Sequence, residues 1–141
     1  MPINLDLNNM PFELSEGFLA LLNREIEQLA SLSGGENEIV FSFRDIHYSA
    51  ETGGYHPVEI RWVKEQGFWC FDYITDFSFV GSGHDAELTK EIDFDFTQGS
   101  GFHLYTGEHA LRSLDDLFEI WQANFVDYYH SGVFQTKVSA S

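Results

Sequence analysis

Only one cysteine, Cys70, occurs in the chain, which excludes an internal disulfide and the thiolate-rich zinc sites. Its neighbours Trp69 and Phe71 make it a packing residue. Basic residues are scarce: seven Lys and Arg face 23 Asp and Glu, for a formal net charge of −16. Binding to nucleic acid relies on Lys and Arg displacing counterions from phosphates, so direct nucleic-acid binding is not expected. No run reaches the roughly 18 consecutive apolar residues of a membrane span. The opening MPINLDLNNM lacks the basic stretch and apolar run of a secretory signal. A soluble cytoplasmic protein without membrane contact is the expectation. HExxH, GxSxG, P-loop and dinucleotide signatures are absent as well. No catalytic residue, metal or cofactor is therefore assigned from motifs.

Aromatic side chains are plentiful, with 14 Phe, 6 Tyr and 3 Trp in 141 residues. They supply the buried area that offsets chain entropy, and the length suits a single domain over residues 1–141. Phe18, Leu21, Leu22, Ile26, Leu29 and Leu32 recur at helical spacing between Ser15, a suitable N-cap, and the Gly34-Gly35 stop. From Glu38 the period becomes two, through Ile39, Phe41 and Phe43 and then Val58, Ile60 and Trp62. The aromatic run Phe68 to Val80 is long enough to require a bend or bulge, expected near Thr75-Asp76. Leu88 to Phe96 alternates apolar residues with Glu91, Asp93 and Asp95, and Phe102 to Tyr105 reads as a further short strand. A second helix is predicted from Leu114 to about His130, with Ser113 and Asp116 as an approximate capping box and Gly132 as its C′ residue. The tail VFQTKV completes the order. The fold class is α+β: a twisted antiparallel sheet of about five or six strands, flanked by an N-terminal and a C-terminal helix.

Polar residues concentrate in FRDIHYSAETGGYHPVEI, where Arg44, Asp45, His47, Tyr48, Glu51, Tyr55, His56 and Glu59 lie between two strand-like runs. Asp45, His47, Glu51, His56 and Glu59 are types that ligate metals or exchange protons, although their spacing matches no signature. The bland reading is a turn shaped by Gly53-Gly54 and Pro57, with Arg44 and Asp45 paired locally. Glu91, Asp93 and Asp95 form a carboxylate ladder with a spacing of about 7 Å, which suits a solvated face or a patch for a basic partner. Asp72 and Asp76 are odder, because carboxylates inside an aromatic run need partners, for which Arg44 or Arg61 are the candidates. Trp121, Asn124-Phe125 and Tyr128-Tyr129 mark either a ligand pocket or simply core.

The phrases FRDIHYSAETGGYHPVEIR, YITDF with the following FVG, KEIDFDF, and LFEIWQANFVDYYHSGVF resemble the blocks of a bacterial family, Domain of Unknown Function 2787. A relative of that family is similar in fold to the acidic mitochondrial matrix protein that acts as receptor for globular heads of a complement component. The resemblance implies a strongly twisted antiparallel sheet between terminal helices, a binding protein rather than an enzyme, and a tendency to form homo-oligomers. It assigns no catalytic residues.

Two functional expectations follow. The first is an acidic, non-enzymatic binding protein for a basic protein or peptide, contacted through Arg44 to Glu59 and the Glu91, Asp93, Asp95 face. The second is a metal-dependent or acid–base enzyme built on the loop from Asp45 to Glu59.

Overall fold

The computed structural model describes residues 3–29 and 32–141. Helix α1 (Glu16–Ile26) is followed by strands β1 (Glu38–Arg44), β2 (Val58–Glu65), β3 (Phe68–Val80), β4 (Glu87–Asp95), β5 (Ser100–His103) and β6 (Gly107–Ala110). Helix α2 (Asp115–His130) and strand β7 (Gln135–Ala140) complete the chain. All seven strands join one antiparallel sheet in the order β6-β5-β4-β3-β2-β1-β7. The α+β class stands, with seven strands instead of five or six. The unforeseen strand is β6, whose sequence GEHA carries no β-branched or aromatic residue and is held by pairing with β5.

Both helices cover the same face of the sheet. Phe18 from α1 packs on Phe71 of β3 and on Trp121 and Phe125 of α2, while Phe118 and Trp121 meet Phe94 of β4. Edge-to-face rings recur because they place the positive rim of one ring against the negative face of another. Contacts between Ser15 and Gln122, Gly17 and Val126, and Glu25 and Tyr129 show that the two helices run in the same direction.

Ser15 caps α1 as expected, its Oγ accepting the Phe18 amide at 3.1 Å. The helix stops at Ile26, well before Gly34. Beyond it the amides of Gln28 and Leu29 bond back three residues, to Glu25 and Ile26, which tightens the turn. Leu29 and Leu32, neither of them helical, still reach the core; the expected helix also spans residues 30 and 31, which lie outside the described residues. Ser113 does not cap α2, because a 3₁₀ turn over Leu111–Leu114 runs straight into the helix and Ser113 Oγ donates instead to the Ala110 carbonyl. Gly132, at φ +76°, is the C′ residue, and its amide bonds the Tyr129 carbonyl.

Two register shifts bend the sheet. Between β2 and β3 Asp72 is the extra residue, and between β3 and β4 it is Glu91, opposite the step from Asp76 to Phe77. The bulge of β3 itself is therefore at Asp72, before the expected Thr75-Asp76, and the shift beside Asp76 has its extra residue in β4. The β2–β3 hairpin closes on Gln66-Gly67, both at positive φ, a two-residue turn of the primed type that suits the twist of the strands.

The buried aromatic stack predicts where stability resides. Phe18→Ala should lower unfolding free energy by about 3–5 kcal/mol, whereas Ile120→Ala, 63 % exposed on α2, should change it by less than about 0.5 kcal/mol. Urea denaturation of both variants measures the contrast.

Candidate functional site

The loop between β1 and β2 is built around one carboxylate. Asp45 accepts the amides of His47 (2.9 Å) and Tyr55 (3.0 Å), which hold its carboxyl below the usual range and close the loop across ten residues. It pairs with these amides and not with Arg44. Gly54 completes the closure at φ +140°. A Cβ there would lie 2.8 Å from Asp45 Oδ2 and 3.0 Å from Tyr48 Cα, so no side chain fits. Tyr48 pins the loop to β3: its ring packs on Phe79 and His56, and its hydroxyl accepts the Phe79 amide at 3.0 Å.

This anchoring delivers His56 to the helix-covered face. The Phe77 amide bonds the Pro57 carbonyl and Val58 pairs with Asp76, which sets His56 beside Asp76. His56 Nδ1 lies 2.8 Å from Asp76 Oδ1 and 3.4 Å from Glu91 Oε2. Trp121 Nε1 of α2 donates to the second Asp76 oxygen at 3.1 Å. Asp76 is thus held on both oxygens, with only 13 % of its side chain exposed. The hydrogen bond to Asp76, opposed by partial burial and reinforced by the charges of Asp76 and Glu91, raises the His56 pKa above its ordinary 6.5.

A cavity of about 300 Å³ opens beside the cluster, lined by His56 and Asp76 together with Tyr55, Trp121, Asn124 and Tyr128 among others. Tyr55 meets Tyr128 edge-to-face at 4.6 Å, joining the loop to α2 across its mouth. Of the residues read as ligand pocket or core, Trp121, Asn124, Phe125 and Tyr128 line this cavity; Trp121 and Phe125 are buried, whereas Asn124 and Tyr128 face outward.

The carboxylate ladder is divided by the bulge. Glu91 leaves it for His56, Asp93 accepts the Thr75 hydroxyl at 2.6 Å with Lys90 at 3.8 Å, and Asp95 accepts the Gln98 amide at 2.9 Å. Burial pushes the Asp93 carboxyl up, against the pull of Thr75 and Lys90. On the same open face Arg61 binds Asp72 at 2.5 Å and Glu38 at 3.3 Å, and Glu59 accepts the Tyr73 hydroxyl. Arg61 is therefore the partner of Asp72, while Asp76 takes His56 and Trp121. His47, Glu51 and Arg44 are exposed and join no cluster among the described residues, so His47 and His56 do not converge. Burial and the nearby Glu65, Asp6 and Asp72 push the Cys70 thiol up, in keeping with a packing role.

Two outcomes test this geometry. His56 binds its proton more tightly when folded, so its contribution to stability is complete below the unfolded value near pH 6.5 and is lost as pH rises through the higher folded value. With chelator present, the stability gap between the parent protein and His56→Gln should be widest near pH 5.5 and should shrink by about pH 9; a gap that widens with pH would contradict the ion pair. Gly54→Ala should cost on the order of 1–3 kcal/mol, more than Gly53→Ala, whose Cβ would meet nothing within 4 Å.

Residues 16–139 match the family described as a protein of unknown function, DUF2787. The hypothetical protein VC0508 from the VSP-II pathogenicity island of Vibrio cholerae is similar at a TM-score of 0.88 and 30 % identity, over 99 % of this chain and 100 % of that one. The conserved hypothetical protein VC1805 from pathogenicity island VPI-2 of Vibrio cholerae O1 biovar eltor is similar at a TM-score of 0.78 and 34 % identity, over 91 % and 95 % of the two chains; it shares structural homology with the human P32 protein. No curated protein matches the chain. With its seven-stranded sheet and two helices on one face, the chain belongs to the DUF2787 family.

Proposed function

We propose that this protein is a cytoplasmic bacterial binding protein for a cationic protein or peptide. The observation that carries the reading is an acid-rimmed groove of about 300 Å³ where the starts of α1 and α2 meet, lined by Glu13, Leu14, Ser15, Asp115, Phe118, Glu119 and Gln122. Glu13, Asp115 and Glu119 are exposed, as are Glu16 and Asp116 beside them. Among the described residues basic groups lie within ion-pair distance only of Glu38, Asp72, Asp76, Glu91 and Asp93, so the groove's carboxylates have no cation. A groove lined by Leu14 and Phe118 together with exposed carboxylates suits Lys and Arg, whose aliphatic stems pack while their charges reach the rim.

The carboxylates of the Glu91, Asp93, Asp95 strand are already bonded within the molecule, which makes the groove the stronger contact and leaves the exposed loop residues Arg44, His47 and Glu51 as secondary ones. The net charge of −16 steers a cationic partner from a distance, and that attraction weakens as salt screens it. No described helix is long and apolar enough to cross a membrane.

Titration with a lysine- and arginine-rich peptide tests the reading. Affinity should fall at least about tenfold between about 50 and 300 mM salt, and the double substitution Asp115→Lys with Glu119→Lys should weaken binding at low salt by a similar factor. An affinity indifferent to both salt and charge reversal would refute it.

A further inference from the structure

The groove between the helices makes no use of the cluster on the other side of α2. His56 arrives from the end of the β1–β2 loop, Asp76 from β3 and Glu91 from the bulge in β4, and one ligand atom from each lies within 4.8 Å of the other two. Separate elements thus converge on one point. Four features distinguish the cluster from a fortuitous surface group. Its donors are one imidazole nitrogen and two carboxylate oxygens, a mixture suited to first-row divalent ions. Asp76 is oriented from behind by Trp121 Nε1 at 3.1 Å, as outer hydrogen bonds orient metal-binding carboxylates. Its side chains are partly shielded, with 13 % of Asp76, 21 % of Glu91 and 33 % of His56 exposed. The cavity gives a path from solvent and brings Asn124 and Tyr128 close to the cluster.

We propose that His56, Asp76 and Glu91 form a binding site for a single divalent transition-metal ion, such as Zn²⁺ or Mn²⁺. Two carboxylates and a neutral imidazole balance the charge of such an ion. The imidazole favours these metals over Mg²⁺ and Ca²⁺, which prefer all-oxygen ligands. Binding through His56 Nδ1 displaces the proton of a protonated ring at that nitrogen, so one proton leaves per ion bound when His56 starts protonated. The Asp76 and Glu91 charges face His56 from β3 and β4, Tyr48 packs on its ring, and α2 contributes Trp121 and Tyr128 around the cavity.

The bulge is central to the proposal. Without the extra residue in β4, strict alternation would keep Glu91 on the open face with Asp93 and Asp95, and only two donors would remain on the helix-covered side.

Calorimetric titration of chelator-treated protein with Zn²⁺ and, separately, Mn²⁺, in buffered salt that screens the acidic surface, provides the test. One ion should bind per chain, and Asp76→Asn and Glu91→Gln should each lower affinity by on the order of tenfold or more. Glu91→Gln is the safer variant, because Glu91 is partly exposed and lies in a bulge; its circular dichroism should match the parent, and so should its thermal unfolding in chelator at about pH 9, where the protonated His56 pair no longer contributes. Cobalt(II) should give a visible absorption band in the parent that is lost in His56→Gln. The Asp115→Lys, Glu119→Lys protein should bind the ion as the parent does, and Glu91→Gln should bind the basic peptide as the parent does, so this site and the helix groove can fail independently. Absence of one-to-one binding, or binding undiminished in both Asp76→Asn and Glu91→Gln, would overturn the proposal and assign any observed uptake to the acidic surface.

Discussion

One extra residue in β4 governs the arrangement of charge in this protein. A β-strand alternates its side chains between two faces, and a single insertion reverses the alternation from that point onward. In β4 the insertion falls at Glu91, so Ile92 and Phe94 still enter the aromatic core while Glu91 joins His56 and Asp76 beneath α2. The other bulge, at Asp72 in β3, likewise presents a carboxylate, here to Arg61 on the open face. Both irregularities of the ladder carry an acid, and each acid meets one of the few basic groups in the chain. Arg61 and His56 thus stand where a carboxylate is partly buried, because an unpaired buried charge costs far more than an exposed one.

The aromatic core supplies the rigidity that makes this placement precise. Phe18, Phe71, Phe94, Phe118, Trp121 and Phe125 interlock between the helices and the sheet. Trp121 belongs to both systems: its ring packs in the core and its Nε1 fixes Asp76. Glu25 shows a second solution to the same problem. It is a fully buried carboxylate that accepts Tyr129, Thr136 and Gln28, tying α1 to α2 and to edge strand β7. Burial and Glu25 together push the Tyr129 hydroxyl up to about 12.

Much of the fold was legible in the sequence because its signals are local. Alternation in Ile39, Phe41 and Phe43, the Ser15 cap and the Gly132 stop each act within a few residues. The misplacements arise where tertiary context overrides a local signal. Leu29 and Leu32 keep helical spacing but pack from outside α1, Ser113 is overtaken by a 3₁₀ turn, and β6 is held by its pairing with β5. The site was half legible. His56 and Asp76 stand out in the sequence as a titratable ring in a glycine-rich loop and a carboxylate in an aromatic run, and Trp121, Asn124 and Tyr128 as either pocket or core. Period two assigns Glu91, Asp93 and Asp95 to one face, and nothing in KEIDFDF announces the bulge that moves Glu91. Arg44 and Arg61 are the partners the sequence suggests for Asp76, because the approach of His56 depends on a loop closed by Asp45 and Gly54 across ten residues.

The acid-rimmed groove and the His56 cluster lie on opposite sides of α2 and draw on different chemistry: the first on long-range attraction between exposed charges, the second on short contacts in a shielded place. Both depend on the same helix being seated on the aromatic core, and the cluster depends further on the bulge. The most direct measurement is the titration of the His56 ring nitrogens by ¹⁵N nuclear magnetic resonance in metal-free protein. The account predicts a midpoint above 6.5 that falls most in Asp76→Asn and less in Glu91→Gln. A ring that titrates at or below 6.5, unmoved by either substitution, would contradict it.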